Sequence, residues 1–80
     1  MTKLKLFIDR HDINVGELAR LMEVSRTLVY LMIKGTMNPT ADQGEKLICV
    51  LNGLAGTELV VEDLWSVENP RLLSAREVED

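Results

Sequence analysis

Hydrophobic residues near the start of the chain recur at the spacing of an amphipathic helix. Leu4, Phe7 and Ile8 occupy positions i, i+3 and i+4, a pattern that puts them on one face of a helix. We therefore predict a first helix that ends near Arg10. The polar segment HDIN follows it and interrupts the pattern.

A capping signal precedes the second apolar stripe. Asn14 is followed three residues later by Glu17. This pair is typical of the first turn of a helix, because the Asn side chain can accept a hydrogen bond from an N–H group that has no partner within the helix. The apolar residues behind the pair are Leu18, Leu21 and Met22. The spacing predicts a second helix that begins after Asn14 and ends near Glu23.

The third segment is bounded by Ser25, a good N-cap, and by Gly35, a good residue for the end of a helix. The letters LVYLMI between them have strand-like propensity, but the two boundary residues and the short link to the second helix favour a helix. One side of this helix is apolar and consists of Val29, Met32 and Ile33. The opposite side presents Thr27, Tyr30, Leu31 and Lys34, with Arg26 at its flank.

Two further helices are predicted in the second half of the chain. Thr40 and Gln43 resemble a capping box that begins a fourth helix. The core stripe of that helix consists of Ala41, Leu47, Ile48 and Leu51. Gly44 within it is expected to cost about 1 kcal/mol relative to Ala. The letters NGLAGT end the helix, and LVVEDLW predicts a short fifth helix in which Leu64 and Trp65 close the core.

These elements predict an all-α fold, a compact bundle of five helices. The helical domain is expected to span residues 1–66, because the letters SVENPRLLSAREVED after Trp65 are polar and acidic and Pro70 stops a continuing helix. Residues 67–80 are therefore predicted to form an acidic C-terminal tail. A chain of 80 residues is at the small end of what folds alone, so an apolar core, aided by dimerisation, must supply the stability.

Charge is distributed unevenly along the chain. The net charge is −4, but residues 1–50 hold seven Lys and Arg against six Asp and Glu, whereas residues 51–80 hold two against seven. The stretch 24–41 contains Arg26 and Lys34 and no carboxylate. Because charges in solution act over a Debye length of about 8–10 Å, this stretch can meet a polyanion although the chain as a whole is acidic.

The sequence offers little for catalysis or for metal binding. One His and one Cys exclude a disulfide within the chain and most zinc sites, and no Gly-rich phosphate loop precedes a helix. His11 is expected in a surface turn, and Cys49 as a buried or half-buried residue of the fourth helix. We therefore expect neither an enzyme nor a cofactor. The absence of a secretory signal and of an apolar span of about 20 residues predicts a cytoplasmic protein without membrane contact.

Several short blocks along the chain share their order and spacing with a known family. The blocks are Glu17-Leu18-Ala19, Val24-Ser25-Arg26-Thr27, Val29, Met32 and Gly35, Asn38-Pro39-Thr40, Leu47 and Leu51, and Glu62-Asp63-Leu64-Trp65. Over residues 4–65 this arrangement resembles the lambda-repressor-like, Cro/XRE-type helix-turn-helix family. Ala19 occupies the position where the family has a small residue, because two helices cross closely there. The chain departs from the family at Val15, where Gln is common, and at Glu23, where Gly is usual.

By this resemblance the third helix is a recognition helix that enters the major groove of double-stranded DNA. The positions that face bases or phosphates are Ser25, Arg26, Thr27, Tyr30, Leu31 and Lys34, and those of the backbone-contacting loop and helix start are Thr36, Asn38 and Thr40. Arg can bond guanine, Thr and Tyr can bond base edges or phosphate, and Leu can contact a thymine methyl group. The resemblance implies a transcriptional regulator, a repressor in our interpretation, that binds a pseudo-palindromic site as a homodimer.

Two expectations concern protein partners. The homodimer is expected to form through the fifth helix and the tail, with Leu59, Val60, Trp65, Leu72 and Leu73 as contacts. The alternative function is a protein-interaction module on the same fold, such as an antitoxin that binds a toxin, or an anti-repressor. This alternative is motivated by the acidic C-terminal third, which could wrap a basic partner, and by the apolar Leu28 and Leu31 on the third helix.

Overall fold

The computed structural model describes residues 1–69 and 71–78. In these residues the chain forms five helices and one antiparallel pair of short strands. The helices are α1 (Lys3–Arg10), α2 (Val15–Met22), α3 (Arg26–Lys34), α4 (Ala41–Ala55) and α5 (Val61–Leu64), and the strands are β1 (Trp65–Ser66) and β2 (Ser74–Ala75). The mostly helical fold is confirmed. The prediction that it is all-α is wrong, because the chain after α5 turns back and pairs with itself.

The first four helices begin at a polar residue whose side chain accepts a hydrogen bond from an N–H group in the first turn. These residues are Thr2, Asn14, Ser25 and Thr40. At Thr40 the bond is reciprocated, since the Gln43 side chain accepts from the Thr40 N–H at 3.0 Å. Such caps satisfy donors that have no partner within the helix. The sequence signals at positions 14, 25 and 40 therefore located three of the four starts correctly.

Helix α4 continues beyond the end expected at NGLAGT. It runs through Gly53 to Ala55, and Gly56 ends it in the left-handed conformation at φ 67°. The Asn52 side chain holds the loop that follows, because its Nδ2 donates to the Leu59 carbonyl at 3.0 Å and its Oδ1 accepts from the Leu59 N–H at 2.8 Å. One side chain thus satisfies both backbone groups of Leu59, and the last turn of the helix stays intact.

One apolar core joins the helices. It consists of Leu4, Ile8, Leu18, Ala19, Met22, Val29, Met32, Ile33, Leu47, Ile48, Leu51, Leu64, Trp65 and Leu73. Helix α2 packs against both α3 and α4, and Ala19 on it is buried. Leu21, at the edge of the predicted α2 stripe, is 40% exposed. Phe7 and Ala41, which were also predicted in the apolar stripes, are half-buried. The helical spacing therefore predicted the core side of each helix, with errors at the edges of three stripes.

The chain after α5 completes the core instead of forming a wholly polar tail. Leu73 is fully buried, and its N–H donates to the Pro39 carbonyl at 2.7 Å. Its Cδ1 atom fills the space that a Cβ on Gly44 would need. The expectation of a tail missed this packing because Leu73 is one buried residue among polar neighbours. Of the predicted tail, Pro70 and the residues 79–80 lie outside the described residues.

The beginning and the end of the described chain lie side by side. Thr2 and Glu77 form an isolated antiparallel bridge, and the Lys3 N–H donates to the Arg76 carbonyl at 2.9 Å. The Thr2 hydroxyl, which is buried, also donates to the carbonyl of Ile33 in the last turn of α3. The end of α3 is thus attached to both ends of the described chain.

Candidate nucleic-acid interface

A turn of three residues, Glu23 to Ser25, sets the direction of α3 relative to α2. Glu23 adopts the left-handed conformation (φ 60°, ψ 39°), and the Val24 N–H donates to the Ala19 carbonyl at 3.0 Å. Ser25 then caps α3, and its hydroxyl accepts from the Leu28 N–H at 3.2 Å. Because these bonds end one helix and begin the next within three residues, the two helices hold a defined mutual orientation.

Helix α3 has a buried side and an exposed side, as its residue spacing predicts. On the buried side, Val29 is 0% and Met32 is 1% exposed. The exposed residues at the start and on the other side are Ser25, Arg26, Thr27, Tyr30 and Lys34. Leu31 is half-buried. The exposed side therefore carries a guanidinium, two hydroxyls, a phenol and an ammonium along a helix about 13 Å long.

Arg26 does not extend directly away from the protein but lies over the start of α2. Its Nε and Cζ atoms are 3.2 and 3.4 Å from the point that a Cβ on Gly16 would occupy. Asn14 Oδ1, which caps α2 by accepting from the Glu17 N–H at 3.0 Å, is 3.1 Å from the same point. Because Gly16 has no side chain, the guanidinium lies beside the first turn of α2, where N–H groups have no carbonyl acceptor within the helix.

Gly16 and Asn14 belong to this surface. From the sequence, the backbone N–H groups at the start of α2 were expected to hold a phosphate, but no side-chain contact was expected at either residue. The sequence predicts Asn14 only as a cap, and Gly16 carries no signal of its own. Their relation to Arg26 depends on proximity through space. The signal that could have found them is the combination of a cap with a small residue in the first turn, which leaves a helix start open to a side chain from elsewhere.

The loop between α3 and α4 carries the remaining predicted residues to the other end of α3. Gly35 ends the helix in the left-handed conformation at φ 79°, and the Thr36 N–H donates back to the Leu31 carbonyl at 3.0 Å. Pro39 is buried and anchors the loop. The predicted residues on either side of it are exposed, and they are Thr36, Asn38 and Thr40. All nine predicted site residues therefore follow α3 and its two ends, and eight of them are exposed.

The charges on the exposed side of α3 are positive. The two cations of α3 form no ion pair with any described residue. The carboxylate of Glu23, in the turn before α3, lies 3.6 Å from Lys46 Nζ, and that of Asp9 on α1 lies 2.9 Å from Lys5 Nζ. These two carboxylates thus each have a cation beside them, and α3 itself carries only positive charge in a chain whose net charge is −4.

Cys49 lies on the exposed side of α4, so the expectation of a buried or half-buried cysteine is wrong. The buried residues of α4 are Gly44, Leu47, Ile48 and Leu51, and at about 100° per residue Cys49 falls opposite them. His11 is exposed, as predicted. Within residues 1–69 and 71–78, no three His, Cys, Asp or Glu side chains are grouped as metal ligands would be. None of the helices described there has the length and apolar character needed to cross a bilayer.

The five apolar residues expected at a dimer contact do not share one surface. Trp65 and Leu73 are fully buried within the protomer, because the pairing of β1 with β2 folds this segment inwards. Leu59 packs partly against the core. Val60 and Leu72 are 54% and 47% exposed. Of this group, only these last two offer substantial apolar surface to a partner.

Comparisons with known proteins gave no relative of this chain. No protein-family model matches it, no curated protein matches it and no solved structure matches it. Its function is therefore inferred from the geometry and chemistry of its own residues.

Proposed function

We propose that this protein is a sequence-specific DNA-binding transcriptional regulator, acting as a repressor. In this proposal α2 and α3 form a helix-turn-helix, and α3 enters the major groove. The observation that supports it most is the exposed side of α3, which presents Arg26, Thr27, Tyr30 and Lys34 without a carboxylate. Such groups bond base edges and phosphates. The resemblance of residues 4–65 to the lambda-repressor-like family leads to the same proposal.

The dimensions of α3 suit the major groove. A helix with its side chains is about 10–12 Å in diameter, and the groove is about 12 Å wide and 8.5 Å deep. Ser25 and Gly35 bound α3, and Arg26, Thr27, Tyr30 and Lys34 along it are exposed. The start of α3 can therefore enter the groove while the start of α2 meets the sugar–phosphate backbone.

Arg26 is assigned to a phosphate in this proposal. Its guanidinium lies beside the first turn of α2, where unpaired N–H groups and the positive end of the helix dipole favour an anion. A phosphate at that point would receive hydrogen bonds from both. Base edges would then be read by Thr27 and Tyr30, and Lys34 would contact a second phosphate. The expectation from sequence placed Arg26 among the positions that face bases or phosphates, and this assignment favours a phosphate.

The acidic net charge weakens such binding without preventing it. Only two cations lie on α3, and the carboxylates of Glu23 and Asp9 on neighbouring parts of the chain each lie beside a lysine. Each phosphate contact contributes about 0.9 to the slope of log Kd against log salt concentration. Two contacts in each protomer give a slope of about 2 per protomer, and about 4 for a dimer. This dependence is shallow compared with proteins that make many phosphate contacts.

We also propose that the protein binds DNA as a homodimer. A single α3 reads only a few base pairs, so two copies on half-sites about 34–36 Å apart are needed to specify a site. The exposed Val60 and Leu72 are apolar residues that a second copy can cover. Analytical ultracentrifugation with and without DNA measures the stoichiometry. A single protomer on every specific duplex would contradict the homodimer.

The DNA proposal is tested by selecting duplexes from a random pool and titrating the enriched sequence by fluorescence anisotropy. Arg26→Gln is expected to weaken binding to all duplexes about tenfold. Because the dimer loses one phosphate contact in each protomer, the salt slope should fall by about 2. Tyr30→Phe is expected to relax the preference at one base position. Arg71→Gln, which removes the same charge from the exposed segment between β1 and β2, is the matched control. Failure to enrich any sequence, or equal losses in R26Q and R71Q, would contradict the proposal.

The alternative function is a protein-interaction module such as an antitoxin or an anti-repressor. The same variants distinguish it from DNA binding. It is motivated by the acidic C-terminal third, which could wrap a partner, and by the apolar Leu28 and Leu31 on α3, which are both half-buried. In the described part of the acidic segment, Leu73 is buried and the Glu77 carboxylate pairs with the Met1 ammonium at 3.1 Å, which is why the DNA proposal comes first. Co-purification of a protein partner that is unaffected by R26Q, together with no DNA enrichment, would favour the alternative.

A further inference from the structure

A groove of about 590 Å³ runs between α1, α5 and residues 76–78. From α1 it is lined by Lys3, Leu6, Phe7 and Arg10, which share one side of the helix at about 100° per residue. The opposite flank of α1 lines a separate cavity with Tyr30 and Lys34 of α3. The groove is therefore distinct from the proposed DNA surface, and a ligand bound in it leaves α3 free.

The walls of the groove are mainly apolar. Leu6 and Phe7 face Leu59 and Leu64 across it, and Val78 adds a side chain from the C-terminal segment. Sites for small molecules typically have volumes of about 300–1,000 Å³, with apolar walls and a few polar groups that fix the orientation of the ligand. The groove has this size and this composition.

Three cationic side chains, those of Lys3, Arg10 and Arg76, line the same groove. None of them forms an ion pair with a residue in the described part of the chain. Arg76 is held in place, because its Nε donates to the Trp65 carbonyl at 3.2 Å. That bond uses Nε and leaves the two terminal nitrogens of the guanidinium available to an anion.

Both carboxylates that line the groove already have partners within the protein. Asp63 accepts a hydrogen bond from the Val60 N–H at 3.0 Å, and Glu77 pairs with the Met1 ammonium at 3.1 Å. Asp63 keeps its negative charge, but three cations line the groove against two carboxylates, one of which is paired with the Met1 ammonium. The net charge at the groove is therefore positive, although the chain is acidic overall. An anionic group on a ligand would complement the positive charge of the groove, and an apolar body would contact its apolar walls.

We propose that this groove binds a small amphipathic anion, an aromatic or medium-chain aliphatic carboxylate or sulfonate. The apolar body of the ligand contacts Leu6, Phe7 and Leu59, and its acid group meets Lys3, Arg10 and Arg76. The proposal does not depend on DNA binding, because none of these residues lies on α3.

The proposal is tested with 8-anilinonaphthalene-1-sulfonate, an aromatic anion that fluoresces in apolar surroundings. Trp65 is the single tryptophan, and its neighbours Leu64 and Ser66 line the groove. Energy transfer from Trp65 to the dye therefore reports binding to the protein, and the groove variants locate the site. The dye has about 20 non-hydrogen atoms, and the binding free energy per atom that is typical of ligands of this size corresponds to a Kd on the order of 10 μM. N-phenyl-1-naphthylamine, which has the same rings without the sulfonate, is expected to bind at least about tenfold more weakly.

Variants distinguish dye that is bound in the groove from dye that binds to partly unfolded protein. Lys3→Gln/Arg10→Gln removes two groove cations and is expected to raise the Kd about tenfold. The control Arg20→Gln/Arg71→Gln removes two exposed cations that do not line the groove and should leave the Kd unchanged. Leu6→Gln, at a side chain outside the core cluster, should weaken both dyes. The dye should also raise the melting temperature, since a ligand of the native state stabilises it.

Three results would overturn the proposal. The first is equal affinity for the charged and the neutral dye, and the second is equal Kd in the groove variant and its charge-matched control. The third is binding of a Glu- and Leu-rich helical peptide, abolished by K3Q/R10Q, in the absence of any dye binding. That third result would assign the groove to a protein partner.

Discussion

Gly44 lies inside α4, where helix propensity and packing predict opposite effects of an added methyl group. Replacing an interior glycine by Ala normally stabilises a helix by about 1 kcal/mol. At Gly44, however, the new Cβ would overlap Leu73 Cδ1, far inside the carbon–carbon contact distance of about 3.5–4.0 Å. We predict that Gly44→Ala loses the helical gain and destabilises the protein.

The magnitude follows from how firmly Leu73 is held. Its side chain is 0% exposed, its N–H is bonded to the Pro39 carbonyl at 2.7 Å, and the next two residues form β2. The side chain can therefore yield only by an unfavourable rotation within a closed core, and such overpacking costs about 1–3 kcal/mol. Against a helical gain of about 1 kcal/mol, the net loss is about 0–2 kcal/mol.

Gly53→Ala is the matched control, because Gly53 is in the same helix and a Cβ there meets nothing within 4 Å. It should stabilise the protein by about 1 kcal/mol. The two variants should therefore differ by about 1–3 kcal/mol in free energy of unfolding, or by about 5–20 °C in melting temperature for a domain of this size. Urea titrations followed by Trp65 fluorescence and by helical circular dichroism measure the difference.

The Leu73→Ala variant tests whether the collision with Leu73 is the cause, because Gly44→Ala can be added to it in a double-mutant cycle. That variant loses about 2–5 kcal/mol on its own, but it removes the atom with which the new Cβ collides. Gly44→Ala added to Leu73→Ala should then be neutral or stabilising, and the cycle should show a coupling of about 1–3 kcal/mol. If Gly44→Ala stabilises the wild-type chain as much as Gly53→Ala does, the packing described for Leu73 is refuted.

Three further predictions use the same measurements. Glu23→Gly should raise stability by up to about 1 kcal/mol in urea titrations, because Glu23 is left-handed at φ 60°; a lower urea midpoint would argue against that conformation. Thr40→Ala should lower stability by about 1 kcal/mol through loss of its capping bonds, whereas Thr36→Ala, at an exposed residue that caps no helix, should change it by less than about 0.5 kcal/mol. Cys49 should react with a disulfide reagent in the folded protein within about tenfold of its rate in denaturant; a thiol that reacts only after unfolding would contradict its exposure.

Local signals in the sequence predicted the helices well, because a cap acts within one turn. Asn14, Ser25 and Thr40 each bond an N–H three residues ahead, a distance that the sequence displays directly. The interactions that escaped prediction join residues farther apart. Asn52 holds Leu59, and Leu73 fills the space beside Gly44; neither pairing follows from composition or helical period.

The candidate interface likewise has features that the sequence predicts and features that it does not. The period of α3 separates the buried Val29 from the exposed Tyr30, so its two sides are predictable from the letters alone. The position of Arg26 over Gly16 is not predictable, because it depends on the angle between two helices and on the absence of a side chain on the first of them. The groove beside α1 likewise arises only when residues 76–78 return to it.

The pairing of Thr2 with Glu77 has a consequence for biosynthesis. A ribosome adds about 5–20 residues each second, so Thr2 is incorporated about 4–15 s before Glu77 is joined to the nascent polypeptide. Until then Trp65 lacks β2 as a neighbour, and the side of α4 that Leu73 will cover faces water or a chaperone. The helices can form during translation, but the native packing is complete only after the residues up to Glu77 have been synthesised.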